Sequence, residues 1–233
     1  MHGQVAHEIG RQIVSGAIPE GEFLPKESEL SDRYSISRQA VREALKVLAA
    51  KGLVASRRRA GTYVMPRAVW NLLDPDVMAW HSPAELTPDF LNDLVELRRL
   101  VEPAAARLAA MRGKTDRIGR IGKALDRMRA TASDPLAFYA ADAEFHFALF
   151  AASGNALIDS LSTILAPVME ASFRLLGEGS GRDSAALVES HASVYEGIVA
   201  GDPQKAGRAI EGILAGAAEA LENITTDRLK KTG

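Results

Sequence analysis

The stretch Ile36-Ser37-Arg38-Gln39-Ala40-Val41-Arg42-Glu43-Ala44-Leu45 decides how the N-terminal part of this chain folds. Ser37 is a natural N-cap, because its side-chain oxygen can accept from the backbone N–H groups of a first helical turn. Val41, Leu45 and Leu48 then recur at helical spacing and form one apolar stripe. Arg38, Gln39 and Arg42 fall off that stripe. Their planar groups can pair with guanine or adenine edges or hold phosphate oxygens. A capped amphipathic helix with such side chains on its free face is the arrangement of a recognition helix.

Working outward, Leu24-Pro25-Lys26-Glu27-Ser28-Glu29-Leu30 opens a short helix with proline near its first turn, and Tyr34-Ser35-Ile36 is a tight connection. Two helices joined in this way predict a helix-turn-helix. Lys51-Gly52 stops the second helix. Leu53-Val54-Ala55-Ser56 and Thr62-Tyr63-Val64 then read as short strands flanking Arg57-Arg58-Arg59-Ala60-Gly61, a basic hairpin or wing. Between Arg38 and Arg59 stand seven Lys or Arg against one acid, Glu43. A merely solvated basic face is the competing reading, and it does not account for the cap and the wing glycine together.

The segment resembles the GntR-type winged helix-turn-helix regulators over roughly residues 4–66. The resemblance is carried by Ile18-Pro19-Glu20-Gly21, Leu24-Pro25, Glu29-Leu30, Ser37-Arg38, Val41-Arg42-Glu43-Ala44-Leu45, Leu48, Gly52-Leu53-Val54 and Gly61-Thr62. It implies that Lys26, Ser37, Arg38, Gln39, Arg42, Arg58, Gly61 and Thr62 contact double-stranded operator DNA. One departure is Ser28, where many relatives carry a DNA-contacting arginine.

The 233 residues suffice for two domains, and 47% hydrophobic residues supply a sizeable core. There is no cysteine, which excludes disulfides and thiolate metal ligands and fits a reducing compartment. No uninterrupted apolar run has membrane-spanning length, and Met1-His2-Gly3-Gln4 lacks a signal-peptide layout, so a cytoplasmic protein with no membrane partner is expected. The net charge of −2 conceals an asymmetry. Residues 1–66 carry ten basic and seven acidic residues, and the remainder eighteen against twenty-three. Phosphate binding needs positive charge only where the duplex lies.

Residues 67–87 read as a linker interrupted by Pro75 and Pro83. Residues 88–233 read as an all-α antiparallel bundle, with candidate helices at 88–112, 114–131, 135–152, 155–177, 182–200 and 203–226. The fold expected is therefore mainly α, a winged helix-turn-helix followed by a helical bundle. Within it Asp142 and His146 stand four residues apart on one helical face, and His191 lies on a later helix. Mixed imidazole and carboxylate donors suit zinc, nickel, manganese or iron better than calcium. Spacing leaves the alternative open that these histidines are hydrogen-bonded core residues.

Glu96-Leu97-Arg98-Arg99-Leu100-Val101-Glu102-Pro103, Asp142-Ala143-Glu144-Phe145-His146, Ser153-Gly154-Asn155 and Glu189-Ser190-His191 resemble the ligand-sensing FCD domain of FadR-type GntR regulators. Many such domains hold a divalent metal with an aspartate and three histidines. The resemblance implies Asp142, His146 and His191 as ligands and places Ile213 at the last position, which cannot ligate. Either an open position faces an effector or the metal is lost. Arg98 is the candidate effector contact, since guanidinium pairs bidentately with carboxylates, unless it serves only to pair with an acid such as Glu102. Trp70-Asn71-Leu72-Leu73-Asp74-Pro75-Asp76-Val77-Met78-Ala79-Trp80 resembles sugar-acid-responsive, galactonate-type members. It implies a small carboxylate or sugar-acid effector, though both tryptophans could serve packing alone. The expected protein is a homodimeric repressor reading a palindrome. A metal-dependent enzyme is the alternative, and Glu144, the nearest further acid, faces away from the triad by helical phase.

Overall fold

The computed structural model describes residues 2–81, 86–166, 169 and 183–232. The chain divides into two compact units, Met1–Glu85 and Leu86–Gly233.

The first unit opens with α1 (His2–Val14), followed by α2 (Glu27–Tyr34) and α3 (Arg38–Ala50). In α3 the stripe Val41, Ala44, Leu45 and Leu48 is buried. Full burial of a Val or Leu side chain stabilises by about 1.5–3 kcal/mol, which holds a short helix whose sequence alone is a marginal helix former. The connection from α2 turns on Ser35, which takes a left-handed φ of 53°. Gly52 ends α3 with φ +78°, and a Cβ there would stand 2.5 Å from the carbonyl oxygen of Val69. Both conformation and space therefore demand glycine. The wing is an antiparallel hairpin of β1 (Val54–Arg57) and β2 (Gly61–Val64), with Val54 opposite Val64 and Arg57 opposite Gly61. Leu24 N donates to Thr62 O and Val64 N to Glu22 O, so residues 22–24 extend this small sheet beyond its two strands.

Residues 67–81 do not behave as a linker. They form a 3-10 turn (Arg67–Val69) and α4 (Pro75–Ala79), and Trp70, Val77 and Trp80 are buried in the core of the first unit. The sequence pattern missed this because the segment is short and proline-broken, while its anchors are single tryptophans rather than a periodic stripe. Trp80 lies flat against α1 where Gly10 has no side chain, and its Nε1 donates to His7 Nδ1 at 2.8 Å. Lys51, the C-cap of α3, pairs with Asp74 and Asp76, both at 2.7 Å. Burial pushes the Lys51 amine down, but the two carboxylates outweigh it and hold the group above its usual range.

The second unit is helical throughout its described residues: α5 (Pro88–Arg112), α6 (Thr115–Ala130), α7 (Pro135–Ala152), α8 (156–166), α9 (Ser184–Val199) and α10 (Pro203–Thr232). The starts follow from capping. Thr87 accepts from Phe90 N, and Asp134 from Leu136 N and Ala137 N, each with proline in the first turn. Residues 167–168 and 170–177 of the helix expected at 155–177 lie outside the described residues. α5 packs against α7, α9 and α10, and α6 against α7 and α9. The middle of α5 and the inner faces of α7 and α9 thus meet at one place.

Candidate functional site

In the first unit Ser37 Oγ accepts from Ala40 N at 3.2 Å, as its N-cap position requires. Arg38, Gln39 and Arg42 are exposed on α3, and Lys26 is exposed at the N-cap position of α2. Between α2, α3 and the wing lies an open groove of about 490 Å³ whose lining includes Lys26, Arg38, Arg42, Arg57, Arg59 and Thr62. Gly61 also lines it. Arg57 and Arg59 at the hairpin tip line this groove, whereas the expected Arg58 is exposed outside its lining. Arg59 holds φ +65° and Gly61 φ +118°, conformations that cost a β-carbon-bearing residue strain. Two of the candidate base contacts already have partners: Gln39 Nε2 donates to Glu43 Oε1 at 3.0 Å, and Arg42 Nε to Glu27 Oε2 at 2.7 Å. In the sequence the only signal for Glu27 is its place in the first turn of α2.

In the second unit α7 and α9 bring Asp142, His146 and His191 together, all three buried. Asp142 Oδ1 lies 3.3 Å from His146 Nε2 and 2.9 Å from His191 Nε2, and the two Nε2 atoms are 3.4 Å apart. A triangle of this size matches the edges of a coordination sphere, since zinc with bonds near 2.1 Å sets its ligands about 3.0–3.4 Å apart. Asp142 Oδ1 is fully buried and receives no well-aligned hydrogen bond despite these short approaches. The size and chemistry of the donor set fit a cation at its centre.

The surroundings fix which ring nitrogen of His191 faces inward. His191 Nδ1 sits 2.7 Å from the carbonyl oxygen of Leu187, one turn earlier on α9, and must donate there. The His191 Nε2 lone pair is thereby directed at the centre of the triangle, as an outer-shell partner directs a metal-binding histidine. His146 Nδ1 lies 2.8 Å from Glu102 Oε2. Glu102 in turn takes Arg98 Nε on its other oxygen at 2.6 Å, an i,i+4 pair within α5, while Arg98 Nη2 reaches within 3.3 Å of His146 Nε2. The two readings of Arg98 are thus not exclusive, because the guanidinium both pairs with Glu102 and presents Nη2 to the triad.

Burial is the largest influence on Glu102, Asp142 and His146. It pushes the Glu102 carboxyl up, yet Arg98 and His146 together outweigh it and hold the group at about 2. Burial likewise raises Asp142, but His191 and His146 pull it well below the usual carboxylate range. For His146, burial and Arg98 disfavour the charged ring, while Glu102 and Asp142 prevail and raise it. With two carboxylates, one guanidinium and neutral imidazoles, the cluster carries a surplus negative charge, which a buried site must neutralise. A proton on His146 or a metal cation can do so, and the two compete. The sequence pattern overlooked Glu102 as a site residue, although its i+4 offset from Arg98 placed it on the same face.

Residues 2–64 match the bacterial regulatory proteins of the gntR family, and residues 93–216 match the FCD domain. This chain belongs to the GntR family, in its FCD-domain branch. The galactonate operon transcriptional repressor of Escherichia coli is 33% identical to it over 93% of this chain and 95% of that one. The HTH-type transcriptional regulator LutR of Bacillus subtilis is 30% identical over 91% and 99%. Among solved structures, the Listeria monocytogenes regulator Lar superposes with a TM-score of 0.65 at 17% identity, covering 96% and 97%. At that identity the likeness speaks for the fold alone. The GntR protein described here is accordingly a DNA-binding transcriptional regulator with a small-molecule-binding class of C-terminal domain, and the enzyme alternative falls away. Among the described residues no helix is long and apolar enough to cross a membrane.

Proposed function

We propose that this regulator is a homodimeric repressor that leaves a palindromic operator when a small carboxylate, of the sugar-acid type, enters the helical unit. The observation that carries this reading is the buried cluster of Asp142, His146, His191, Arg98 and Glu102. A bundle needs no such cluster to fold, and charged groups taken out of water are costly to retain. Asp142, His146 and His191 would hold a divalent metal of the zinc, nickel or manganese class, which when bound supplies a Lewis-acidic anchor for oxygen. With a divalent ion the surplus negative charge becomes a surplus positive one, and a monocarboxylate is the ligand that cancels it. Arg98 supplies the second, bidentate contact to that carboxylate. The kinship with a galactonate operon repressor favours an aldonate.

In the first unit, Arg38, Gln39 and Arg42 read base edges in the major groove. Lys26, Ser37, Arg58, Gly61 and Thr62 position the backbone of the duplex. Two such heads related by a twofold axis multiply specificity. The effector must favour an arrangement of the heads that no longer matches the half-site spacing, since equal affinity for both states would shift nothing.

The test is a thermal-shift screen of aldonates and related sugar acids, with and without divalent metal, followed by operator gel shifts with each hit. A hit that raises the melting temperature and releases DNA supports the reading. A screen in which no carboxylate does either overturns it. Sedimentation at micromolar concentration should give about twice the 25.0 kDa chain mass.

A further inference from the structure

The ion pair between Arg42 and Glu27 joins the two helices of the reading head at its DNA-facing side. Arg42 Nε meets Glu27 Oε2 at 2.7 Å, and both side chains remain partly exposed, at 58% and 39%. Both residues line the groove that Lys26, Arg38, Arg57 and Arg59 also line. An exposed ion pair contributes little to stability, so folding gives no strong reason for it. A carboxylate standing among these cations also opposes the approach of phosphates. Its position is explained if it acts on the arginine. With Nε engaged, the side-on edge of the guanidinium is closed, and the free Nη1 and Nη2 pair becomes the only edge that can grip a base bidentately.

We propose that Glu27 is a positioning residue for operator recognition, which orients Arg42 for end-on bidentate contact with a guanine and at the same time penalises binding to DNA that offers none. The inference rests on the reading of Arg42 as a base contact. Glu27 lowers the conformational cost of fixing Arg42 in the specific complex. In a non-specific complex it neutralises a cation that would otherwise serve a phosphate. It therefore raises the ratio of specific to non-specific affinity from both sides, the quantity that governs site selection. Glu43, which braces Gln39 and Lys46 from within α3, has no such reach across the two helices and is the natural comparison.

The experiment measures affinity of the full-length protein for its operator and for a random duplex of equal length, across a salt series. The proteins are the wild type, Glu27→Ala, Glu27→Gln, Arg42→Ala and the Glu27→Ala/Arg42→Ala double variant. Glu27→Ala should lose about tenfold in operator affinity, the size of one misplaced base contact. It should gain in random-duplex affinity, with a salt slope steeper by about one as a released cation meets phosphate. Glu27→Gln, whose amide oxygen still accepts from Nε, should recover part of the operator affinity. In the Arg42→Ala background Glu27→Ala should cause no further loss of specificity. If Arg42→Ala binds the operator like the wild type, the base-contact reading fails. If Arg42→Ala loses the operator but Glu27→Ala, with an unchanged melting temperature, keeps the wild-type specificity ratio, the positioning role fails while that reading stands.

Discussion

Glu102 Oε2 approaches His146 Nδ1 to 2.8 Å across the contact of α5 with α7, and this carboxylate favours the charged form of the His146 ring. The other oxygen of the same carboxylate anchors Arg98. A single fully buried side chain therefore contacts both His146 and Arg98. Glu102→Ala should leave Arg98 buried without its main counter-charge and cost about 3–5 kcal/mol of stability. Divalent-metal affinity should fall by about 10–100-fold, as it does when second-shell partners are removed. Denaturant unfolding and metal titration measure the two effects, and wild-type values for both would remove the role assigned here.

The triad predicts metal-dependent stability. Purified protein should contain one divalent ion per chain by elemental analysis, and a chelator should lower its melting temperature. Metal at about a hundred times its dissociation constant is expected to add roughly 2.7 kcal/mol. His146→Ala and His191→Ala should each remove most of that increment, and the double variant little more, because the ligands act as a unit. Protein free of metal and indifferent to chelator would mean that the proton on His146 alone balances the cluster.

Arg38 begins α3 and is exposed beside the groove, so Arg38→Ala should leave the fold intact. Operator affinity should drop by about 1–3 kcal/mol, the worth of one bidentate base contact. Wild-type affinity and salt slope in a gel-shift series would exclude Arg38 from the interface.

At the wing tip Arg59 is held at φ +65° without being glycine. Arg59→Gly should relieve about 1 kcal/mol of strain and stabilise the hairpin, while reducing DNA affinity through the lost cation. Opposite signs in thermal melting and operator binding are the expected signature. A loss of both would mean that Arg59 makes a packing contact.

Trp80 fastens residues 67–81 to α1 through Gly10 and His7. Trp80→Ala should destabilise the first unit by about 3–5 kcal/mol, as for other buried large-to-small changes. Gly10→Val should do comparable damage, because a Cβ at that position would come within 2.5 Å of the indole ring. Hydrogen exchange of α1 and of the end of α3 would report the loosening, and unchanged protection would mean that the segment merely rests on the unit.

Sequence by itself determined those features that depend on local chemistry or on period. Ser37 followed by the stripe Val41, Leu45 and Leu48 needed only capping and helical spacing to be read, and the caps and breakers around Gly113, Asp134-Pro135 and Gly201-Asp202-Pro203 fixed most helices of the bundle. Asp142 and His146 were visible as a pair because four residues along a helix is a short-range distance. Tertiary structure alone decided the rest. It brought His191 to within 2.9 Å of Asp142 from another helix, and placed Arg57 and Arg59 rather than Arg58 in the lining of the groove. It also set Glu27 against Arg42 and folded Trp80 onto Gly10. Each of these depends on where two separately legible elements meet. Helix crossings and turn conformations set that meeting through packing over many residues, which no local periodicity encodes.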